Sequence, residues 1–256
     1  MQASEDKLRE WAAGAPTRVD LWVSLVNGVE ARDVAEIGVY RGAFAERLLA
    51  ECPAVASYYM IDPWRHLDDW NKPANKADDV FERFFEEAMA RTGAYADKRI
   101  VLRGKTSEVI DRMPDGTLDF AYIDGDHTLR GITVDLVKVF PKVKDGGWIG
   151  GDDFSASIWQ HGRDFEPTLV FPFAVHFAEA VGARIYGLPH NQFLLEKAAR
   201  GFEFVDITGR YGALDLRAQL DGDSPPRPAR AGRPGGRADA ERPPSFAKRV
   251  RRRLAL

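Results

Sequence analysis

Short apolar runs recur along the first two hundred residues, most of them closing on or near a glycine or aspartate. They are Val34–Val39, Ser57–Ile61, Ile100–Leu102, Leu118–Ile123 and Val143–Gly150. Between them lie segments with apolar residues at helical spacing, such as Phe44, Leu48 and Leu49, or Leu129, Ile132, Leu136 and Val139. Near-continuous apolar strands alternating with amphipathic helices are the pattern of a sheet buried on both faces. Five such repeats with short connections predict an α/β fold, a doubly wound and mostly parallel sheet. The runs Arg184–Leu188 and Phe193–Lys197 are too close in sequence for a crossover, so they are expected to pair antiparallel. Ahead of the first strand, residues 4–31 read as helices with Trp11, Leu21, Trp22, Leu25 and Val26 buried. A long helix through Val80–Arg91 is expected to bury Phe81, Phe84, Phe85 and Met89, and Thr106 to cap a short helix ending at Arg112.

In such a sheet, polar residues just past the carboxyl ends of strands face the ligand crevice. Two strand ends here deliver carboxylates: Asp124 and Asp126 in Ile123-Asp-Gly-Asp-His127, and Asp152 with Asp153 in Gly151-Asp-Asp-Phe154. Several carboxylates converging from adjacent strands point to a hard-cation site; the bland reading is a turn and a helix cap. The first strand runs into Glu36-Ile-Gly-Val-Tyr-Arg-Gly42. Gly38 and Gly42 let a ligand approach the backbone, and the following helix N-terminus suits an anionic group. The G-x-x-x-G spacing is not the dinucleotide fingerprint, which counts against a dehydrogenase. Asp62, closing the second strand 26 residues after Glu36, stands where an acid bonds ribose hydroxyls.

These motifs, with Ile61-Asp-Pro-Trp64 and Gly146-Gly-Trp-Ile-Gly-Gly-Asp-Asp-Phe154, resemble class I S-adenosylmethionine-dependent methyltransferases over residues 30–200. They are similar, more narrowly, to metal-dependent sugar O-methyltransferases of the macrocin type. The resemblance implies a seven-stranded Rossmann-like sheet with an antiparallel last strand, S-adenosylmethionine as methyl donor, and Mg2+. It implies that Glu36 and Gly38 touch the methionine end of the donor, that Asp62 holds the ribose, and that the Gly104–Ser107 turn lies near the adenine. Gly42, Ser107 and Asp124 complete the expected donor site. The family's metal ligands map onto Asp124, Asp152 and Asp153, and its proposed general base onto Asp126. His127, with an ordinary pKa near working pH, is the rival base.

The implied reaction is methyl transfer to a hydroxyl of a small acceptor, a sugar or glycoside. The alternatives are a catechol or other vicinal diol, or a non-catalytic donor-binding scaffold. The loops 64–78 and 154–166 follow strand ends and carry aromatics beside polar groups, so they are expected to set acceptor choice. An Arg163 contact to an anionic acceptor group and a lid built from 64–78 are further expectations. Trp64, Trp70, His161, His176 and His190 are read as packing or surface residues, with a place in the acceptor pocket as the alternative for Trp64 and Trp70. Cys52, the single cysteine, reads as a packed bystander.

The net charge of -3 conceals an asymmetry. Residues 221–256 hold ten Arg/Lys against four Asp/Glu, leaving 26 against 35 in the rest. The expected organisation is a methyltransferase domain over 1–212 and a basic, Pro/Arg-rich, disordered tail over 213–256. Within that tail Phe246, Val250 and Leu254 space out a short helix that could touch anionic lipid weakly. No nucleic-acid partner is expected; a homo-oligomer is left open. The start lacks a signal pattern and no apolar stretch approaches ~20 residues, so a cytoplasmic location is the expectation.

Overall fold

The computed structural model describes residues 5–198, 201–212, 214 and 219. The expected basic tail with its terminal helix lies outside the described residues, Leu214 and Gln219 excepted. Two helices, α1 (Glu5–Ala13) and α2 (Arg18–Gly28), precede β1 (Asp33–Ile37). Then follow α3 (Ala43–Glu51), β2 (Ser57–Asp62), α4 (Asp78–Arg91), β3 (Arg99–Arg103), α5 (Thr106–Val109), β4 (Leu118–Ile123), α6 (Leu129–Val139) and β5 (Val143–Gly151). The last elements are α7 (Val170–Val181), β6 (Arg184–Leu188), β7 (Gln192–Glu196) and β8 (Glu203–Asp206).

The sheet order is β3-β2-β1-β4-β5-β7-β6-β8. β1 to β5 pair parallel, and β7 runs antiparallel between β5 and β6. The sheet has eight strands, not seven, because β8 adds parallel to β6 beyond the antiparallel strand. The order reverses direction between β1 and β4, which opens the crevice where ligands bind in such sheets.

Both faces are buried, and strand residues alternate between two cores. Tyr58, Met60, Phe120, Tyr122 and Trp148 face α1 to α4, packing with Leu8, Leu21, Trp22, Phe44 and Leu48. Ala35, Ile37, Ile61, Ala121, Ile123 and Ile149 face the opposite core with Val109, Ile132, Leu136, Val170 and Phe193. Leu129, expected on the buried side of α6, is 51% exposed. As the first residue of its helix it projects past the end of the core. On α4 only Phe81 and Ala88 are buried, while Phe84, Phe85 and Met89 are half-buried at the margin. Thr106 does not cap α5: Lys105 stands at the cap and the Glu108 carboxylate accepts its backbone N–H at 2.9 Å.

One contact of α2 governs the site. Trp22 lies on the sheet with ring centroids 5.5 Å from Phe120 and 5.1 Å from Tyr122. A Cβ on Gly150 would fall 2.2 Å from that indole, so glycine in β5 is what admits it. The indole N–H donates to Gln192 Oε1 at 2.7 Å. Thr17 caps α2, and Arg18, its first residue, is thereby aimed at the carboxyl ends of β4 and β5.

Candidate active site

The turn after β1 is fixed by crowding. Gly38 takes φ +90°, and a Cβ there would lie 2.1 Å from the Asp124 carbonyl oxygen. Only glycine fits where the ends of β1 and β4 close on each other. The Asp124 N–H donates to Ile37 O at 2.7 Å and the Gly38 N–H to Ile61 O at 2.9 Å. Glu36 is 2% exposed and accepts from the Tyr58 hydroxyl at 2.9 Å. Burial raises its pKa well above the usual carboxylate value, Tyr58 opposing and Asp124 and Asp62 reinforcing.

Asp62 closes β2 and grips the same turn. Its Oδ2 accepts the Val39 and Tyr40 N–H at 2.9 and 2.8 Å, and its Oδ1 the Trp64 N–H at 2.7 Å. Burial pushes its pKa up to about 6 against these three hydrogen bonds.

Glu36, Gly38, Asp62, Asp124, Asp126, His127 and Asp153 border one cavity of about 710 Å³, together with Gly104 to Ser107. That volume is within the ~300–1,000 Å³ of small-molecule clefts. Two expected residues are placed otherwise. Gly42 does not border the cavity; a Cβ there would lie 2.8 Å from Ala88 Cα, so it lets α3 pack on α4. Asp152 stands behind the cavity wall, held by Arg18 and by the Gln192 amide.

The three aspartates converge on two cationic side chains. Arg18 Nη1 donates to Asp124 Oδ2 at 2.9 Å and also contacts Asp152 Oδ2. His127 Nδ1 pairs with Asp153 Oδ2, while its Nε2 lies 3.3 Å from Asp124 Oδ1 without hydrogen-bond alignment. Burial works against the imidazolium, but the two carboxylates prevail and raise His127 to about 10. Asp153, in the left-handed region at φ +56°, also accepts from Gln160. Burial raises its carboxyl, and His127 and Gln160 outweigh that to leave it at about 2. As arranged, no group of three or more His, Cys, Asp or Glu among the described residues is set to hold a metal ion. The donor set, three carboxylates linked through Arg18 and His127, is nonetheless of the chemistry a hard cation takes. Arg18 stands in as the positive charge between two of them.

The cavity's other side is built by the two loops following β2 and β5, and they clasp each other. The Asn71 N–H donates to Glu166 Oε2 at 3.1 Å, and Lys72 Nζ reaches Glu166 O at 2.8 Å and Thr168 Oγ1 at 3.2 Å. Lys72 is buried; burial lowers its pKa against Asp126, Asp153 and Glu166. Trp70 borders the cavity, the alternative reading of that residue, and its Nε1 donates to Asp126 Oδ1 at 3.0 Å; His161, expected as a packing or surface residue, borders the cavity too. Trp64 is buried in the core against Phe85, His176 is exposed on α7, and His190 bonds Ala15 O. Arg163 stacks on Trp159 at 4.8 Å and is not a cavity residue. Cys52 is buried, its thiol raised by desolvation to about 12, as a packed bystander should be.

Residues 35–154, the span from β1 to the end of β5, match the family model described as a methyltransferase domain. Eight strands, mostly parallel with the antiparallel strand near the end, are a Rossmann-like fold. A protein from Corynebacterium glutamicum shares the fold with TM-score 0.52 and 16% identity, over 75% of this chain and 88% of that one. A candidate caffeoyl-CoA O-methyltransferase from Staphylococcus aureus does so with TM-score 0.52 and 15% identity, over 75% and 91%. The uncharacterized protein y4gI of Sinorhizobium fredii is 23% identical over 157 residues, 58% of this chain. The chain spans only 17% of that curated relative's length. Among the described residues, no helix is long and apolar enough to cross a membrane.

Proposed function

We propose that this chain transfers a methyl group from S-adenosylmethionine to a hydroxyl of a small acceptor, a sugar or glycoside, with Mg2+ bound by Asp124, Asp152 and Asp153. The observation carrying this reading is the convergence of the β1 turn, Asp62, Asp124, Asp126 and Asp153 on one cavity within the span matched by the methyltransferase-domain model. The donor brings its own reactivity as a sulfonium methyl with a thioether leaving group; the ion, when bound, would lower the pKa of a coordinated hydroxyl. The rest falls to side chains.

Gly38 leaves the backbone of the β1 turn bare for the amino-acid end of the donor, beside the buried Glu36. Asp62 holds the Val39 and Tyr40 amides in place and is the nearest acid to a ribose in that position. The clasped loops bring Trp70, Lys72 and His161 over the acceptor half, an aromatic face with polar neighbours that suits a sugar ring. Asp126 is assigned as proton acceptor. Trp70 and the Thr128 N–H fix its Oδ1, and its Oδ2 borders the cavity side 3.7 Å from Arg130. By desolvating the acceptor and aligning it with the methyl group, this enclosure does what geometry alone can contribute.

The test is calorimetry with S-adenosylhomocysteine, with and without magnesium, followed by transfer of labelled methyl to a panel of sugars, glycosides and catechols. Binding of the donor product and labelling of a sugar or glycoside are expected. Labelling of catechols alone would move the acceptor class; no binding of the donor product would remove the whole reading.

A further inference from the structure

Among the described residues, every Lys and Arg on the cavity border pairs with a carboxylate except Lys72. Lys72 is also the one buried member of that set, 6% exposed. Burying an ammonium is costly unless its donors and its charge are met. Two of its three N–H groups donate to the Glu166 carbonyl at 2.8 Å and the Thr168 hydroxyl at 3.2 Å, both neutral acceptors. The acids around it are engaged by other groups. Asp126 accepts from Trp70 and lies 3.7 Å from Arg130, Asp153 pairs with His127 and accepts from Gln160, and the Glu166 carboxylate accepts the Asn71 N–H. A buried cation on a cavity wall, with one donor to spare and no acid of its own, is a group arranged for an anion from outside the chain.

Resting on the acceptor reading above, we propose that Lys72 binds a carboxylate of the acceptor, so that the preferred substrate is an acidic sugar, a uronic acid or uronide, and not a neutral one. Lys72 is tied to the Asp126–His127 segment from both sides. Trp70, two residues before it, donates to Asp126, the assigned proton acceptor, at 3.0 Å. On the other side Thr168 holds the ammonium, and the next residue, Leu169, donates its N–H to His127 O at 2.9 Å. A ring that presents a hydroxyl to Asp126 therefore has Lys72 on its flank. One remaining donor suits one carboxylate oxygen, whereas phosphate groups take several donors together. Burial lowers the Lys72 pKa, so a carboxylate from outside offsets a penalty already present in the unliganded protein.

The experiment is methyl transfer by the whole chain, with S-adenosylmethionine and magnesium, to methyl glucuronide and to methyl glucoside, the same ring with and without the carboxylate. The wild-type chain is expected to show a KM for the uronide lower by roughly 10- to 100-fold, the range of one hydrogen bond to a charged group. Lys72→Met is expected to bring the two KM values within about threefold of each other. Loosening the loops alone would raise both values together and leave their ratio untouched, so the ratio separates recognition from a structural role. Equal KM values on the wild-type chain, or an unchanged ratio in Lys72→Met, would overturn the assignment. The wild-type ratio decides even where the variant fails to fold. Transfer to neither compound, with S-adenosylhomocysteine still bound, would overturn the sugar acceptor and this assignment with it, a result distinguishable from equal transfer to both.

Discussion

Single residues in this chain carry constraints of different visibility. Gly38 was readable, because a glycine closing a strand before a helix has few other purposes; the structure adds that a Cβ would press on the Asp124 carbonyl at φ +90°. Gly38→Ala is expected to cost about 3 kcal/mol or more, combining a clash with a strained backbone. A urea denaturation midpoint checks it, and wild-type stability in the variant would show that the turn relaxes freely. Asp135 was invisible in the sequence, since an aspartate at one position of an amphipathic helix looks solvated until the sheet covers it. Its carboxyl is at about 7 in the folded chain against an ordinary 3.8, so the folded state binds the proton more tightly than the unfolded one. Stability contributed by this group is therefore present below pH 4 and is lost as pH rises toward 7. Asp135→Asn, without that ionisation, should match the wild type near pH 4 and exceed it above pH 7, by at most roughly 4 kcal/mol. Melting temperatures of both proteins between pH 4 and 8 test the sign; parallel curves would mean that the carboxyl titrates as in the unfolded chain.

At the scale of elements, the strands were legible because each is an apolar run of period two or less, bounded by Gly, Asp or Pro. The loops were legible only as loops. Nothing in residues 64–77 or 155–169 announces that Asn71 and Lys72 bond Glu166 and Thr168, partners over 90 residues away. The same blindness hid His161 as a cavity residue and favoured Arg163, which stacks on Trp159 instead. The clasp has a mechanical consequence. Lys72→Met keeps the buried stem and removes both Nζ contacts, so the two loops should part while the β1 turn stays intact. The expected result is faster proteolysis within both loops and a KM for the acceptor raised several-fold, with S-adenosylhomocysteine affinity unchanged. Equal loss of donor-product affinity would show that the loops and the donor compartment are one mechanical unit.

Across the whole molecule, the site depends on residues that the sheet gathers from distant segments. The order of strands brings the ends of β1, β4 and β5 together, and that much follows from the doubly wound pattern. Arg18 does not follow from it. It belongs to a helix ahead of the first strand and reaches the aspartates only because Trp22 is seated over Gly150 and bonded to Gln192. The N-terminal helices thus supply a fixed positive charge to an acidic cluster built by the sheet. Removing that charge in Arg18→Gln leaves Asp124 and Asp152 facing each other without their shared cation. Because Arg18 is 37% exposed at its side chain, water softens the loss, and the expected destabilisation is about 1–2 kcal/mol. A divalent ion drawn to the same oxygens should restore what the guanidinium supplied. Magnesium is therefore expected to raise the melting temperature of Arg18→Gln more than that of the wild type, and a chelator to widen the gap between them. If magnesium shifts both proteins equally, Arg18 and the ion do not share those carboxylates. If it shifts neither, the aspartates are a structural network held together by Arg18 and His127, and the proposed ion has no place there.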